Sequence, residues 1–184
     1  MGTNQKHDSK TIDQAIERVA SAIVSRHAKT TRLILLGIAN GGVIFAERLV
    51  GKLKKAGLKP GVGTIDISFH RDDISHHPIP KEYSPTLIPH DINGAAIILV
   101  DDVLHTGRTV KAALDELFDH GRPSGVELAV LADRGGRKLP FSPDYCGVTI
   151  DAADAEDVVV HLDPRVSAKD SIAVVSAPKP KIAI

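Results

Sequence analysis

The nine residues from Asp101 to Thr109 carry the side chains with the clearest chemical use. The aliphatic run AAIILV (95–100) ends on two adjacent acids, Asp101 and Asp102, and the polar segment HTGRT (105–109) follows. Two carboxylates can accept hydrogen bonds from a sugar diol, and they can hold Mg²⁺ directly or through water. A ligand that shares their charge explains this pair better than a solvated strand end does.

The segment Thr106–Thr109 stands where a helical pattern begins. The free N–H groups and the positive dipole end of a helix N-terminus suit a phosphate. Gly107 permits close approach and unusual backbone angles, and Thr106 and Thr109 supply hydroxyl groups. The alternative is that one of these threonines is only an N-cap. Together, the acids and the helix N-terminus predict a site for a ribose 5-phosphate group.

The hydrophobic pattern predicts alternating strands and helices, with strands at 32–38, 63–70, 95–100, 126–133, 157–162 and 171–175, and helices at 12–28, 43–57 and 109–120. Such alternation is typical of βαβ units and a mainly parallel sheet. Ligands bind such sheets at the carboxyl ends of the strands. The polar, glycine-rich segments of this chain follow strands, so we expect the site there.

Composition predicts one globular domain over residues 1–184, with 42% hydrophobic and 25% charged residues. No apolar run approaches the roughly 20 residues that a membrane span needs, and the N-terminus lacks the apolar core of a signal peptide. We therefore expect a cytoplasmic protein. The single cysteine, Cys146, fits a reducing compartment and is predicted to be a small buried hydrophobe. The net charge of zero argues against a surface made wholly for nucleic acid.

The chain contains the segments DISFHRDD, LIPHDINGAAIILVDDVLHTGRTVKAALDELFDHGRP and LAVLADRGGRKLP. Within the second, IILVDDVLHTGRT resembles the phosphoribosyl-pyrophosphate (PRPP) signature of type I phosphoribosyltransferases. Together the three resemble the PyrR group of bifunctional pyrimidine-operon regulators and uracil phosphoribosyltransferases, over about residues 12–162. The resemblance implies the type I phosphoribosyltransferase fold: an α/β protein whose mainly parallel sheet is flanked by helices, with a small hood at about 134–162.

By this resemblance, Asp101 and Asp102 contact the ribose hydroxyls of PRPP, and the loop after them holds its 5-phosphate. The implied PRPP site comprises Asp101, Asp102, Val103, Leu104, His105, Thr106, Gly107, Arg108 and Thr109. Mg²⁺ enters with PRPP and can also contact the two acids. His105 stands where relatives often carry Tyr or Phe, so we interpret it as a packing or rim position.

The segment GIANGG (37–42) matches the pyrophosphate-binding loop of the family. The usual Thr-Arg pair would fall on Ala39 and Asn40, so the Arg charge is absent. Backbone N–H groups of Asn40, Gly41 and Gly42 can still hold pyrophosphate. The alternative is a plain glycine-rich turn into a helix.

The segment at about 71–90 matches the flexible loop that covers the active site in this family. Arg71 would pair with the departing pyrophosphate, while Asp72 and Asp73 order the loop or hold metal. A cover has a physical purpose, because water would hydrolyse an oxocarbenium-like transition state.

The hood implied by the resemblance holds the base. Arg134 and Val158 would lie against uracil or UMP, and Arg137 either helps or is only a surface residue. The implied reaction joins uracil to Mg-PRPP and gives UMP and pyrophosphate. A transferase for another base, such as hypoxanthine or orotate, is a less favoured alternative.

Gram-positive members of the group bind a pyrimidine-operon leader RNA through a basic face of a dimer. Affinity for RNA depends on Lys and Arg near phosphates. Here the stretch 147–163 is acidic, with Val148, Asp151, Asp154 and Asp157 at positions where RNA-binding relatives carry several Lys or Arg. We therefore favour the enzyme over a UMP-sensing RNA-binding regulator with weak activity. The resemblance also implies a homodimer or a higher homo-oligomer.

Overall fold

The computed structural model describes residues 6–68 and 85–177. In chain order, the elements are β1 (Lys6–His7), α1 (Ser9–His27), β2 (Leu33–Ile38), α2 (Gly41–Lys55), β3 (Gly61–Ile65), β4 (Ala96–Leu104), α3 (Arg108–His120), β5 (Gly125–Asp133), β6 (Tyr145–Thr149), β7 (Glu156–His161), a 3-10 helix (Ser167–Lys169) and β8 (Ser171–Ser176).

A parallel sheet forms the centre of the fold. Its order is β3-β2-β4-β5-β6, and every neighbouring pair of these strands is parallel. One face packs against α1 and α2, through residues such as Ile16 and Leu49. The other face packs against α3, through Val110 and Leu117. The mainly parallel sheet flanked by helices is therefore confirmed.

The central strands are apolar along their whole length because both of their faces are covered. In β4, Ile98 and Val100 join the apolar cluster formed with α1 and α2, whereas Ile97 and Leu99 join the cluster formed with α3. Side chains alternate between the two faces of a strand, so a strand covered on both faces needs a continuous aliphatic run. This explains why AAIILV is uninterrupted.

The prediction that this strand ends at its two acids is wrong. β4 continues to Leu104, with Asp101 opposite Val130 and Leu104 opposite Asp133 of β5. The backbone ladder continues because β5 is equally long, and the ladder does not depend on apolar side chains. The two acids therefore lie inside a paired strand, which restricts their positions more tightly than a free loop would.

The strand predicted at 63–70 begins and ends earlier, as β3. Thr64 in this edge strand pairs with Leu87, each donating its N–H to the other's carbonyl at 2.9 Å. The end of the expected flexible loop, residues 85–90, thus contains an antiparallel bridge to β3. Arg71, Asp72 and Asp73 lie outside the described residues.

A second sheet lies beside α1 and α2, with antiparallel strands in the order β1-β8-β7. Its strands come from both ends of the chain and not only from the range 134–162 expected for the hood. β6, which falls inside that range, joins the large sheet beside β5. Residues 134–144 connect β5 to β6 and pass the carboxyl end of β5, and residues 150–155 then lead from the large sheet to β7 in the second sheet.

Two expectations from composition concern Cys146 and membranes. The prediction that Cys146 is buried is wrong: it is exposed on the edge strand β6, where its neighbours Tyr145 and Gly147 face inward. Side chains alternate along a strand, and the outer face of this edge strand is uncovered. Within residues 6–68 and 85–177, no helix is both long enough and apolar enough to span a membrane.

Candidate active site

The polar segments singled out in the sequence meet at the carboxyl edge of the large sheet. The loop at 39–42 follows β2, the segment 105–109 follows β4, and Arg134 follows β5. These three strands are direct neighbours in the sheet. The fold therefore brings the predicted pyrophosphate loop, the predicted PRPP loop and the start of the predicted base site to one place.

The two acids of β4 differ in burial. Asp101 is buried, whereas Asp102 is half-buried. Oδ1 of Asp101 accepts the N–H of Asp102 at 3.0 Å, and Oδ1 of Asp102 accepts the N–H of Val103 at 2.9 Å. Burial and the negative charge of Asp102 hold the pKa of Asp101 well above its usual range, and burial also raises the pKa of Asp102. A cation or a pair of hydroxyl donors would stabilise this pair.

The N-terminus of α2 lies directly against the acids. Asn40 is its N-cap, the helix begins at Gly41, and the Ala39–Asn40 peptide bond is cis. A Cβ on Gly42 would lie 2.0 Å from the carbonyl oxygen of Val100, and a Cβ on Gly41 would lie 2.2 Å from Asp102 Oδ2. The amides of Gly41 and Gly42, the first two of α2, therefore begin beside the acid pair.

The N-terminus of α3 forms the other side of the site. Gly107 is the N-cap with φ +90°, and the helix begins at Arg108. Thr106 Oγ1 accepts the N–H of Arg108 at 3.3 Å. The hypothesis that Thr109 is the N-cap is therefore wrong, while Thr106 contributes one capping bond from the position before the cap. The left-handed backbone at Gly107 explains why glycine stands there.

Arg134 connects the sheet to the hood and to the PRPP loop. Its buried guanidinium donates to the carbonyls of Ala153, at 3.2 Å, and Glu156, while Nη1 lies 2.6 Å from both ring nitrogens of His105. Its Nε is buried without a hydrogen-bond partner in the described parts of the chain. Burial and the charge of Arg134 lower the pKa of His105, so the imidazole is neutral at pH 7.

Val158 and Arg137, the other two residues predicted for the base site, both contact described parts of the chain. The side chain of Val158 packs against the apolar cluster formed with α1 and α2. Arg137 is half-buried, and all three of its guanidinium nitrogens bond to acceptors within the chain. The hypothesis that Arg137 is only a surface residue is therefore wrong.

Asp66, which follows β3 beside the loop at 39–42, was not among the predicted site residues. Its Oδ1 accepts the N–H and the hydroxyl of Ser68, at 3.0 and 2.6 Å, and its N–H donates to Thr86 Oγ1 at 3.0 Å. Its Oδ2 is buried and has no hydrogen-bond partner among the described residues. A single acid after a strand gives no pattern that would have marked it.

The acids of β4 fit a divalent cation that brings most of its ligands with it. The described residues contain no group of three or more His, Cys, Asp or Glu side chains that could hold a metal alone. Two carboxylates are what a Mg²⁺ ion needs when substrate oxygens and water fill its other positions. The site therefore fits a metal that arrives with a phosphorylated substrate.

Known sequences resemble this chain along most of its length. Residues 2–167 match the family model described as phosphoribosyl transferase domain. The bifunctional protein PyrR of Listeria monocytogenes is 45% identical over 172 residues, which cover 91% of this chain and 93% of the relative. The protein of the same name from Brevibacillus brevis is 44% identical over 156 residues, covering 84% and 87%.

Solved structures agree at the level of the fold. The hypoxanthine phosphoribosyltransferase of Trypanosoma cruzi superposes with a TM-score of 0.67 at 22% identity, covering 93% of this chain and 95% of that one. A hypoxanthine-guanine phosphoribosyltransferase from Bacillus anthracis gives a TM-score of 0.66 at 17% identity, covering 95% and 99%. These identities are low, so the two structures support the architecture and not the base.

Proposed function

The chain belongs to the phosphoribosyltransferase family and, within it, to the PyrR group, and on this premise we propose that it joins uracil to PRPP, giving UMP and pyrophosphate. The observation that carries the proposal is the position of Asp101 and Asp102 between the N-termini of α2 and α3. One ligand with a phosphate at one end, a pyrophosphate at the other and two hydroxyls between them matches this arrangement.

In this proposal, different residues bind the ribose, the 5-phosphate and the pyrophosphate of PRPP. Asp101 and Asp102 accept hydrogen bonds from the ribose hydroxyls, because ionised carboxylates are pure acceptors. The first turn of α3, with Thr106 and Thr109, receives the 5-phosphate. The amides of Asn40, Gly41 and Gly42 bind the pyrophosphate. These backbone donors replace the absent arginine charge only in part. We therefore expect weaker pyrophosphate binding than in relatives that carry the Thr-Arg pair.

Mg²⁺ fits this site as a companion of PRPP, held on the protein side by Asp101 and Asp102. When bound, it neutralises charge on the leaving pyrophosphate. The raised pKa values of both carboxyls are those of the ligand-free chain. Because a bound cation favours the ionised form of both carboxyls, we expect the affinity for Mg-PRPP to rise with pH.

The base enters from the hood side. Arg134, whose buried Nε has no hydrogen-bond partner among the described residues, contacts His105, and it also donates to Glu156 at the start of β7, the strand that contains Val158. In the reaction, the bond from the ribose carbon to pyrophosphate breaks, a bond to the uracil ring nitrogen forms, and that nitrogen loses its proton. The uracil N–H is acidic enough that no strong general base is assigned. Positioning both reactants supplies much of the acceleration.

The flexible loop completes the proposal. Arg71 pairs with the departing pyrophosphate, and Asp72 and Asp73 order the loop or hold metal. The described residues on either side of 69–84 lie close together, because Thr64 pairs with Leu87 and the N–H of Asp66 donates to Thr86 Oγ1. A segment that starts and ends there can cover the ligand without moving the sheet, which would exclude water from the transition state.

UMP formation by the purified protein tests the proposal. Uracil, hypoxanthine and orotate are supplied separately with Mg-PRPP, beside a PyrR relative assayed in parallel. Of the three bases, we expect only uracil to give a product. Turnover no higher than background, with the relative active, would refute the transferase. Product with hypoxanthine or orotate instead would refute the assignment of the base.

RNA binding is the second candidate function, because the named relatives are bifunctional proteins. Asp151 and Asp154 are exposed and Asp157 is half-buried, so this surface would repel an RNA backbone. Filter binding to a pyrimidine leader RNA at two salt concentrations tests it. Nanomolar binding enhanced by UMP would favour the regulator, whereas weak binding that is lost at the higher salt would favour an enzyme without an RNA role.

A further inference from the structure

Resting on the proposed function, we propose that Arg137 is a positioning residue that braces the PRPP loop from the hood side and is itself fixed by Asp133. The brace is the segment 133–141, which follows β5 and passes behind residues 104–107. In this proposal, the brace gives the 5-phosphate site its shape before any ligand binds.

The contacts of Arg137 all serve this arrangement. Its Nη1 donates to the carbonyl of His105 at 2.9 Å and to that of Leu104 at 3.3 Å, which are the two residues before Thr106. Its Nε donates to the carbonyl of Phe141 at 3.0 Å, and Nη1 also reaches the carbonyl of Gly135 at 3.2 Å. One side chain therefore ties the two segments together.

Asp133 fixes the guanidinium in place. Its Oδ2 accepts from Arg137 Nη2 at 2.7 Å, and its Oδ1 accepts the N–H of Gly135 at 2.9 Å. The side chains of Arg137 and Asp133 are 22% and 19% exposed, so solvent screens this ion pair less than it would screen a surface pair. Asp133 is the last residue of β5, so the brace is anchored on the sheet.

Backbone contacts hold the same loop from the same side. The carbonyl of Thr106 accepts the N–H groups of Lys138 and Leu139, both at 3.0 Å. A Cβ on Gly107 would lie 2.8 Å from Phe141 Cδ2, so the loop also packs closely on the brace. The carbonyls of residues 104–106 all accept hydrogen bonds from the segment 133–141, which includes Arg134, whose N–H donates to Leu104 O at 3.0 Å.

The contacts of these carbonyls also fix the direction of the N–H groups that follow them, and these N–H groups can bind an anion. In a planar trans peptide, the N–H of one residue points opposite to the C=O of the residue before it. Because the carbonyls of His105 and Thr106 point to the brace, the N–H groups of Thr106 and Gly107 point away from it. Successive amides next to a left-handed residue such as Gly107 form an anion-binding concavity. Arg137 thus orients the donors without touching the phosphate.

An arginine is required because only its planar guanidinium offers five N–H donors in a fixed fork. A lysine at this position would keep the charge but could not hold the Asp133 carboxylate and several carbonyls together. Arg137→Lys is therefore the informative variant, and Asp133→Asn tests the anchor while preserving its shape. Arg122→Lys is the matched control, because Arg122 also donates to carbonyls, those of Phe118 and Gly121, at the far end of α3.

Three measurements on the full chain test the brace: steady-state kinetics, calorimetric titration with Mg-PRPP, and amide hydrogen exchange of residues 104–109 without ligand. We expect Arg137→Lys to raise the KM for PRPP and to weaken PRPP binding about tenfold, which is about 1.4 kcal/mol. The KM for uracil should change less than about twofold, and the loop amides should exchange faster. Asp133→Asn should act in the same direction, and Arg122→Lys should change none of these quantities.

The outcomes separate this inference from the function on which it rests. Unchanged PRPP affinity and unchanged loop exchange in Arg137→Lys would overturn the brace. A raised KM for uracil with unchanged PRPP affinity would overturn it too and would make Arg137 a base contact. If even the unaltered protein forms no UMP, the proposed function fails, while the titration and the exchange rates still decide the brace.

Discussion

Gly41 lies so close to Asp102 that a Cβ on the glycine would be 2.2 Å from the carboxylate oxygen Oδ2. No side-chain atom could occupy that position without moving the acid. The start of α2 and the second acid of β4 therefore form one unit, and a change at either residue moves the other. A pyrophosphate held at the helix N-terminus would lie beside Asp102, the carboxylate that we propose contacts the ribose.

We expect Gly41→Ala to weaken PRPP binding at least tenfold while the protein remains folded. The added methyl group must displace Asp102, and a small misplacement in an active site can cost about 100-fold in rate. Gly41 itself is exposed, so the apolar core is not affected. Calorimetric titration with Mg-PRPP and a thermal melt measure the two effects.

Gly51→Ala is the control in the same helix, because a Cβ at Gly51 meets no atom of residues 6–68 and 85–177 within 4 Å. Replacing an interior helix glycine by alanine stabilises by up to about 1 kcal/mol. We expect a higher melting temperature and unchanged PRPP affinity. Equal PRPP affinity in both variants would show that Asp102 does not depend on Gly41.

The Asp101→Asn variant should be more stable than the unaltered protein but nearly inactive. Burial and the charge of Asp102 raise the pKa of Asp101, so ionising it in the folded chain costs free energy. That cost is absent below the ordinary pKa of 3.8 and grows as the pH rises above it. In EDTA without ligand, the melting temperature of the variant should exceed that of the unaltered protein at pH 7.

The same substitution removes an acceptor for the ribose, and we expect UMP formation to fall roughly 100-fold. Asp115→Asn is the matched control on the exposed face of α3, where Asp115 pairs with Lys111. It should leave activity unchanged. A less stable Asp101→Asn protein at pH 7 would contradict the stated origin of the raised pKa.

The sequence predicted most of the architecture because the central strands are covered on both faces. Runs such as LILLGI can only be buried strands in such a sheet. The edges were harder to predict. β6 was missed because Tyr145–Thr149 is short and follows a turn-rich segment, and β1 was missed because its two residues pair only with β8, far along the chain.

The place of the candidate site at the carboxyl edge of the sheet was predictable where its residues are contiguous, as in Asp101–Thr109. Residues that act through tertiary contacts left no local pattern. Asp66 is a single acid after a strand, and the partners of Arg137 range from Leu104 to Phe141. The end of β4 was placed too early because hydrophobicity stops at Val100 whereas the ladder continues to Leu104.

The contact of His105 with Arg134 predicts an acid-sensitive site. Burial and Arg134 lower the pKa of His105, Arg137 and Lys138 add to the effect, and Asp157 opposes it. The neutral ring is therefore favoured in the folded chain, and folding loses stability as the pH falls below the unfolded value of 6.5. Once the pH falls through the lowered pKa of His105 in the folded protein, we expect the KM for uracil to rise.

The His105→Phe variant shows whether this effect comes from His105, because the other histidines are present in both proteins. It keeps an aromatic ring that cannot titrate. Its KM for uracil should stay constant between pH 7 and about pH 5.5, and its melting temperature should fall less than that of the unaltered protein over this range. Parallel pH profiles for the two proteins would assign the sensitivity to another group.

A polar network lies at the opposite edge of the sheet from the site. Glu127, near the start of β5, accepts a hydrogen bond from Tyr145 at 2.6 Å and contacts His27 at 2.9 Å through Oε2, while Arg26 contacts Oε1 at 2.9 Å. The His27 ring is buried and also contacts Thr30 at 3.0 Å. The network joins the end of α1 to β5 and β6, away from every residue assigned to PRPP.

Glu127→Gln should therefore lower stability without changing kcat. Burial pushes the pKa of Glu127 upward, but the hydrogen bonds from Tyr145 and His27 and the nearby charges of His27 and Arg26 outweigh it, so the pKa is lowered. A lowered pKa stabilises the fold above the unfolded value of 4.5, and this contribution disappears as the pH falls through the folded value. We expect a loss of about 2 kcal/mol at pH 7, measured by urea unfolding, that shrinks below about pH 4.5. A loss that does not change with pH would mean that the carboxylate charge has no part in it.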